Sequence, residues 1–430
     1  MITRYPVICP VCGKVTLVRV QAGYLDRHAI RFNCGNCNIT IRGEYENGGA
    51  AFPDCTLSDD DKHADYVIQT SGELLTHSLR KVSSFEDTIA PSPFLNSTML
   101  ISKDNYELFR KRMDNCLEYK AQHSSYNDWV HELYFNGKTR YLREQLDRID
   151  MNGLMKMPTQ ELADIQKIHL LDIGLFKVLN DKEFEKNSQM IFKQYDDFLN
   201  KDATRKSENL SKLKQLCEHF AKSNELIKWQ KKIYQLNQLF TEKIDKFIPV
   251  IGLEFYDLDE RDLEKDFAIT TVSFEEVQSI YIHGYELLGD LLSLLAAYDN
   301  LFVRGDYQKM RANGLRINKK GIKTLDDFER IDSNGKRIPY FNGTDKFEKM
   351  IDNIFKRNIR NSIGHYDYEI SLKDPFKQTL VFYDRKKQIN ISLIGFCTEI
   401  VNLMVCMQKM NELVYQTLKW HLCLNNNFKS

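Results

Sequence analysis

The chain is 430 residues long, 42% of them apolar, and its 60 lysines and arginines balance 60 acidic residues to a formal net charge of zero. That length supports two or three domains with buried cores, and the composition excludes a disordered or collagen-like chain. Zero net charge excludes a global pull towards nucleic acid or an anionic membrane, so any such attraction has to be local.

The first predicted element is a small β unit organised by cysteines. Cys9-Pro10-Val11-Cys12 and Cys34-Gly35-Asn36-Cys37 are two CxxC knuckles separated by twenty-one residues. Each knuckle places two thiolates on one tetrahedral ion, and residues 15–20, 29–32 and 39–46 read as strands around them. This is the plan of a zinc ribbon over residues 1–48, with Cys9, Cys12, Cys34 and Cys37 holding a structural zinc ion. Four cysteines leave no open coordination position for catalysis, and no βαβ pattern marks either knuckle as a redox pair. The first fifty residues carry six basic residues (Arg4, Lys14, Arg19, Arg27, Arg31, Arg42) against three acidic ones. A nucleic-acid contact and a simple folding staple are both open roles for the ribbon. The other six cysteines are scattered, as expected of buried thiols in a reducing compartment. With no signal-peptide apolar region and no uninterrupted run of about 18 apolar residues, a cytoplasmic protein without a membrane span is expected.

Residues 49–98 read as a connector, punctuated by Gly48-Gly49 and Pro91-Ser92-Pro93, with a short helix over 72–82. A helical middle region is predicted over 99–252, with helices at 105–123, 126–150, 159–179 and 182–199. A long helix is predicted over 207–247, where apolar residues from Leu210 to Phe247 recur at three- and four-residue steps. Pro249 and Gly252 end it.

The last predicted domain covers 268–425. A strongly apolar helix over 274–298 reads as buried in a bundle, with His283 as a satisfied core histidine. Residues 304–342 read as a basic loop with turns at Asn318-Lys319-Lys320-Gly321 and Asn334-Gly335-Lys336-Arg337. Thr344 caps a further helix with Phe347, Ile351, Ile354, Phe355 and Ile359 on its inner face. Short strands follow at 368–371, 379–383 and 388–392, and a final apolar helix runs over 394–422. The fold class is therefore mainly α: a small N-terminal β ribbon, a helical middle region and a C-terminal helical bundle with a short β insertion. Charge is uneven along this part. Residues 251–300 hold two basic and twelve acidic residues, whereas 304–387 hold twenty basic and twelve acidic ones.

Inside the basic stretch lies Arg360-Asn361-Ser362-Ile363-Gly364-His365. A guanidinium, an orienting amide and an imidazole that titrates near neutrality are the parts needed to cleave RNA without a metal. On a regular helix Asn361 and His365 share a face, but Arg360 and His365 lie about 140° apart. Arg357, Asn361 and His365 fall on one stripe, so Arg357 and Arg360 are both candidate arginines. Convergence of Arg360 with His365 needs a helix break at Gly364 or a second copy of the chain. A structural role, with the arginine and histidine bonded to backbone at a helix end, is the competing reading.

The six residues, at the end of a helix within a bundle, resemble the Arg-polar-x3–5-His signature of HEPN domains in its Arg-Asn form. The resemblance covers roughly residues 271–425 and none of the middle region. It implies a metal-independent endoribonuclease that works as a homodimer, with both motifs lining one cleft. His365 is then the general base or acid for 2′-OH attack, Arg360 stabilises the charge on phosphorus, and Asn361 orients the histidine or phosphate. HEPN toxins with His-x-Tyr carry a modifiable tyrosine, but here Asp367 occupies that position between Tyr366 and Tyr368. Proteins of this kind with added sensing modules serve as toxins or anti-phage effectors, which implies RNA as substrate and a phage or antitoxin protein as partner. The alternative is a non-catalytic adaptor that binds nucleic acid or protein through the ribbon and helices.

Overall fold

The computed structural model describes residues 1–59, 63–89, 91–149, 157, 159–180, 207–222, 224–258, 266–311, 316–317, 320–342, 354–370, 378–385 and 387–425. Strands come first: β1 (Ile2–Ile8), β2 (Val15–Gln21), β3 (Arg27–Asn33), β4 (Thr40–Glu46), β5 (Gly49–Ala51), β6 (Thr56–Leu57), β7 (Tyr66–Ser71), β8 (Thr76–His77) and β9 (Arg80–Lys81). Helices follow: α1 (Pro93–Leu100), α2 (Lys103–Gln122), α3 (Asp128–Phe135), α4 (Thr139–Leu146), α5 (Gln160–Leu179), α6 (Ser207–Lys222), α7 (Glu225–Thr241) and α8 (Ile244–Ile251). The remainder mixes the two. It carries β10 (Phe267–Ala268), α9 (Phe274–Arg304), β11 (Arg316–Ile317), β12 (Lys320–Gly321), α10 (Leu325–Glu329) and α11 (Asn334–Arg337). Then come α12 (Arg357–His365), β13 (Tyr368–Ile370), β14 (Thr379–Asp384), β15 (Lys387–Ser392) and α13 (Leu393–Asn425). The protein is mainly helical with a strand-rich N-terminal region.

Two compact units form, each from three segments. One comprises Met1–Lys120, Glu242–Ile282 and Asn358–Val401; the other comprises Ala121–Thr241, His283–Arg357 and Asn402–Ser430.

In the first unit a five-stranded sheet runs β6-β1-β2-β7-β9, with β1 antiparallel and β7 parallel to β2. Side chains alternate across a strand, so Val7, Val18, Val20, Tyr66 and Ile68 share one face. That face packs on Ile30, Phe32, Ile41 and Tyr45 of the three-stranded sheet β3-β4-β5. The alternation is clean in β4, where Ile41, Gly43 and Tyr45 are buried and their neighbours exposed. Elsewhere in this unit β13-β14-β15 form an antiparallel sheet. Phe274 at the start of α9 meets Tyr368 of β13 at 4.9 Å between ring centroids and Phe396 of α13 at 5.1 Å.

The helix predicted over 72–82 is absent, and β8 and β9 occupy that stretch. Ser71 Oγ accepts hydrogen bonds from the backbone N–H groups of Glu73 and Leu74, which turns the chain. Thr76–His77 then pair with Phe267–Ala268, a partner about 190 residues away that no local pattern announces.

The second unit is helical. Thr159 caps α5 by accepting from the Leu162 N–H. The polar groups buried between its helices are paired: His169 with Glu412 at 2.5 Å, His131 and Asn411 with Asp172, and Gln408 with Asn237. Among the described residues α13 is the one helix long and apolar enough to cross a membrane, and 67% of its most apolar window is buried, as in a core helix.

Several predicted helices are broken. The single helix over 207–247 is three, α6, α7 and α8, interrupted at Asn224, whose φ of +57° is left-handed. Pro249 lies inside α8 rather than ending it. The predicted helix over 126–150 is split into a π-turn at His123–Asn127, α3 and α4, with Gly137 at φ +65° between the last two. The predicted helix over 182–199 and the cap at Thr344 lie outside the described residues. Ile354 to Lys356 are not helical, so the motif helix begins at Arg357. Asn334–Arg337 form a short helix instead of a turn. His283 is exposed, not a buried core residue, although the rest of α9 is largely apolar and buried.

Candidate functional site

Two sites were legible in the sequence, and the first is the cysteine cluster. The Sγ atoms of Cys9, Cys12, Cys34 and Cys37 all lie within 4.8 Å of one another. Cys9 and Cys37 are 3.5 Å apart, and Cys12 and Cys34 are 3.6 Å apart. A tetrahedral ion with metal–sulfur bonds of about 2.3 Å needs edges of about 3.8 Å, so the four thiols fit one ion.

The two knuckles have the same backbone. The Gly13 N–H donates to the Cys9 carbonyl at 3.0 Å, and the Asn38 N–H donates to the Cys34 carbonyl at 2.9 Å. Gly13 at φ +70° and Asn38 at φ +61° occupy the same left-handed position. The glycine between the second pair has a different task. A Cβ at Gly35 would stand 2.6 Å from the Tyr66 ring, so this residue lets β7 close over the cluster.

Electrostatics favour a cation here. The thiol of Cys37 is pushed up to about 12, first by burial and then by the thiols of Cys9, Cys12 and Cys34. Against the upward push of burial, the Lys14 N–H and the Asn36 side chain hold Cys12 down, at about 6. The cluster accepts one negative charge readily and further ones only beside a positive ion.

The basic excess of the ribbon is largely used within the fold. Arg19 is 7% exposed, and Lys14 pairs with Asp65, Arg27 with Glu44 and Arg31 with Glu276.

The second site is α12. Ile359 and Ile363 are buried and hold its inner face, while Arg360 and Asn361 are half-buried and Gly364 and His365 exposed. The helix does not break at Gly364. It runs to His365 and ends in a Schellman cap, where Asp367 N–H donates to Ser362 O at 2.8 Å and Tyr366 N–H to Ile363 O at 3.2 Å. The residue in the left-handed cap position is Tyr366, at φ +59°.

Ser362 fastens this end to the sheet. Its Oγ lies 2.8 Å from Asn358 O and 2.7 Å from Tyr383 O, and the Tyr383 N–H donates to Asp367 O at 2.9 Å.

The two candidate arginines point differently. Atoms of the Arg357 side chain lie about 3 Å from the place of a Cβ on Gly335, so that side chain packs on α11. Arg360 Nη1 lies 3.5 Å from the place of a Cβ on Gly364. That is an ordinary i, i+4 approach, about 40° around the helix, and it brings the guanidinium beside the residue preceding His365, while position 365 lies about 100° further round. Neither Asn361 nor His365 makes a side-chain hydrogen bond with the described residues.

Sequence reasoning missed the anchoring role of Ser362 and the left-handed Tyr366. It also missed His219, Asp326 and Glu329, whose ligand-type atoms lie within 4.8 Å of one another. Asp326 and Glu329 are three apart on one helical turn, a spacing visible in the sequence, but His219 joins them only through the fold. His219 Nε2 lies 3.2 Å from Glu329, and that hydrogen bond raises the imidazole above its ordinary value.

A shallow cleft in the first unit, lined by Arg31, Phe32, Thr40, Phe274, Ile370 and Leu380 among others, includes no residue of the motif. No protein-family model, no curated protein and no solved structure matches the chain.

Proposed function

We propose that the chain is a metal-independent endoribonuclease of the HEPN type, with a zinc ion stapling its N-terminal ribbon. One observation carries this reading. His365 is exposed and unbonded to the described residues at the end of a capped helix, and the Arg360 guanidinium lies over the adjacent Gly364. A structural histidine at a helix end bonds to backbone or a side chain; this one makes no side-chain hydrogen bond among the described residues and is exposed.

In the proposed reaction the His365 imidazole takes the proton of a ribose 2′-OH. The freed oxygen attacks the neighbouring phosphorus, the bond from phosphorus to the 5′-oxygen breaks as that oxygen takes a proton from solvent water, and a 2′,3′-cyclic phosphate remains. Arg360 neutralises the negative charge that builds on the phosphoryl oxygens, and Asn361 hydrogen-bonds the phosphate or the imidazole. Two protomers dock through this helix, so that both motifs face one RNA strand. Expression in a cell then stops growth, as befits a toxin or an anti-phage effector restrained by a partner.

The zinc has no place in this chemistry: four thiolates saturate it, and its contribution is to fold β3 and β4 around the knuckles. The internal pairing of Lys14, Arg27 and Arg31 favours this staple role over an RNA contact by the ribbon.

Purified protein incubated with RNA in EDTA tests the proposal. Cyclic phosphate ends that disappear in Arg360→Ala and His365→Ala are expected. Cleavage by His365→Ala at the wild-type rate would sink it and leave a non-catalytic adaptor as the reading.

A further inference from the structure

Tyr366 is the most exposed aromatic residue among those described, at 84%, with Trp129 next at 61%. It makes no ring contact or side-chain hydrogen bond with them. Its backbone is left-handed, at φ +59°. Glycine is the usual residue at that cap position, and a bulky side chain there is strained by roughly 1 kcal/mol. Two unfavourable choices therefore coincide at one residue, an aromatic ring in water and a strained backbone, and no side-chain contact with the described residues offsets either.

The backbone that carries the ring is nonetheless held in place. The Asp367-to-Ser362 and Tyr366-to-Ile363 hydrogen bonds fix its backbone, and Ser362 and Tyr383 fix that turn to β14. Tyr366 follows His365 directly, at the end of the helix that also carries Arg360. Further positive charge comes from Arg385 and Lys387, both exposed, at the turn that follows Tyr383. An exposed ring on an anchored backbone, next in sequence to a proposed base and on a helix end with basic residues, suits stacking on a nucleobase whose neighbour phosphate is in the site. Bases in a duplex have their faces covered, so only an unpaired base can use it.

We propose that Tyr366 is the stacking platform for the base beside the cleaved phosphate, which makes the substrate single-stranded RNA. This rests on the ribonuclease reading above and adds to it a specificity-determining residue.

The test uses the full chain with an unstructured RNA oligonucleotide, alone and annealed to its complement, and the variants Tyr366→Phe and Tyr366→Gly. Cleavage of the single strand and not of the duplex is expected. In Tyr366→Gly, KM should rise about 5- to 150-fold, the range given by loss of one base–aromatic stack, with kcat little changed. Tyr366→Phe should restore the wild-type KM, because the ring and not the hydroxyl does the stacking. A 2-aminopurine in the RNA, bound by His365→Ala protein, should be quenched with Tyr366 present and not with glycine in its place.

If wild type cuts and Tyr366→Gly has the same KM, the stacking proposal is overturned while the ribonuclease reading stands. If wild type cuts duplex and single strand equally, the substrate class is wrong. If no protein cuts RNA, the ribonuclease reading falls, and equal 2-aminopurine signals with and without the ring overturn this proposal too.

Discussion

The hydroxyl of Ser362 lies 2.7 Å from the backbone carbonyl of Tyr383, so the helix carrying Arg360, Asn361 and His365 is tied at the third residue of the motif to the end of a β-strand. Ser362 is 1% exposed and touches no solvent-facing group of the site. Ser362→Ala removes the donor and leaves a buried carbonyl short of a partner, a loss of about 1–3 kcal/mol. Urea unfolding should show that loss. RNA cleavage measured well below the transition should fall as well, because the helix end that sets Arg360 against His365 is no longer docked. Unchanged cleavage in a destabilised variant would show that the site does not depend on this tie.

The four thiols predict a single zinc ion per chain, measurable by metal analysis of protein purified without added metal. Structural zinc in small knuckle units contributes on the order of 10 kcal/mol of apparent binding energy. Removal by a strong chelator should unfold β3 and β4 and lower the thermal midpoint. Cys37→Ser should do the same without chelator. Gly35→Ala should also weaken metal retention, since its Cβ would enter the Tyr66 ring at 2.6 Å and force the second knuckle out of register. Full metal retention in Gly35→Ala would mean that Tyr66 can move aside.

His28 predicts an acid-sensitive first unit. It is 6% exposed, stacked on Tyr45 at 4.9 Å, and its Nε2 is buried without a hydrogen-bond partner. Burial lowers its imidazole from the ordinary 6.5 to about 4. The unfolded chain takes up a proton at pH 6.5 and the folded chain only near pH 4. The stability from this residue is therefore complete above pH 6.5, declines as pH falls towards 4, and changes no further below that. The full loss is about 3 kcal/mol. The cysteine cluster also binds protons in acid, so the measurement is a comparison. Urea midpoints of wild type and His28→Phe should converge or cross as pH falls from 7 to 4.5, with the smaller slope in the variant. Parallel slopes would assign the acid sensitivity to the thiols alone.

Legibility in the sequence followed the range of the interaction. The knuckles, β2, β3 and β4, α5, and β13 to β15 were readable because turn residues, alternation and helical periodicity act over a few residues. β8 was not, because Thr76 and His77 find their partner strand near residue 267. The breaks at Asn224 and Gly137 were missed for a different reason. An apolar stripe keeps its three- and four-residue steps across a break when both halves pack on the same core. At the candidate site the residue types and the inner face of Ile359 and Ile363 could be read directly. The reach of the Arg360 side chain over Gly364 could not, since a helical wheel places Cβ atoms and not guanidinium groups. Nor could the exposure of His283, which lies on a helix whose composition alone argued for burial.

The two arginines that helical periodicity left open differ in where their side chains lie. Arg357 shares a stripe with Asn361 and His365, but its side chain packs on Gly335 of α11, about 3 Å from where a Cβ would stand. Arg360 lies off the stripe, yet its guanidinium covers Gly364 beside His365. Arg360→Ala should therefore lower kcat by about 100-fold or more, the scale of removing one group that stabilises transition-state charge. Arg357→Ala should act mainly on stability, through the packing of its aliphatic stem. Arg360→Lys sharpens the comparison, because a lysine keeps the charge and loses the planar fork that engages two phosphoryl oxygens at once. It should recover part of the rate lost in the alanine variant and little of the remainder. The opposite ranking, with Arg357→Ala inactive and Arg360→Ala near wild type, would place the working cation on the stripe and move the phosphate to the other side of the helix.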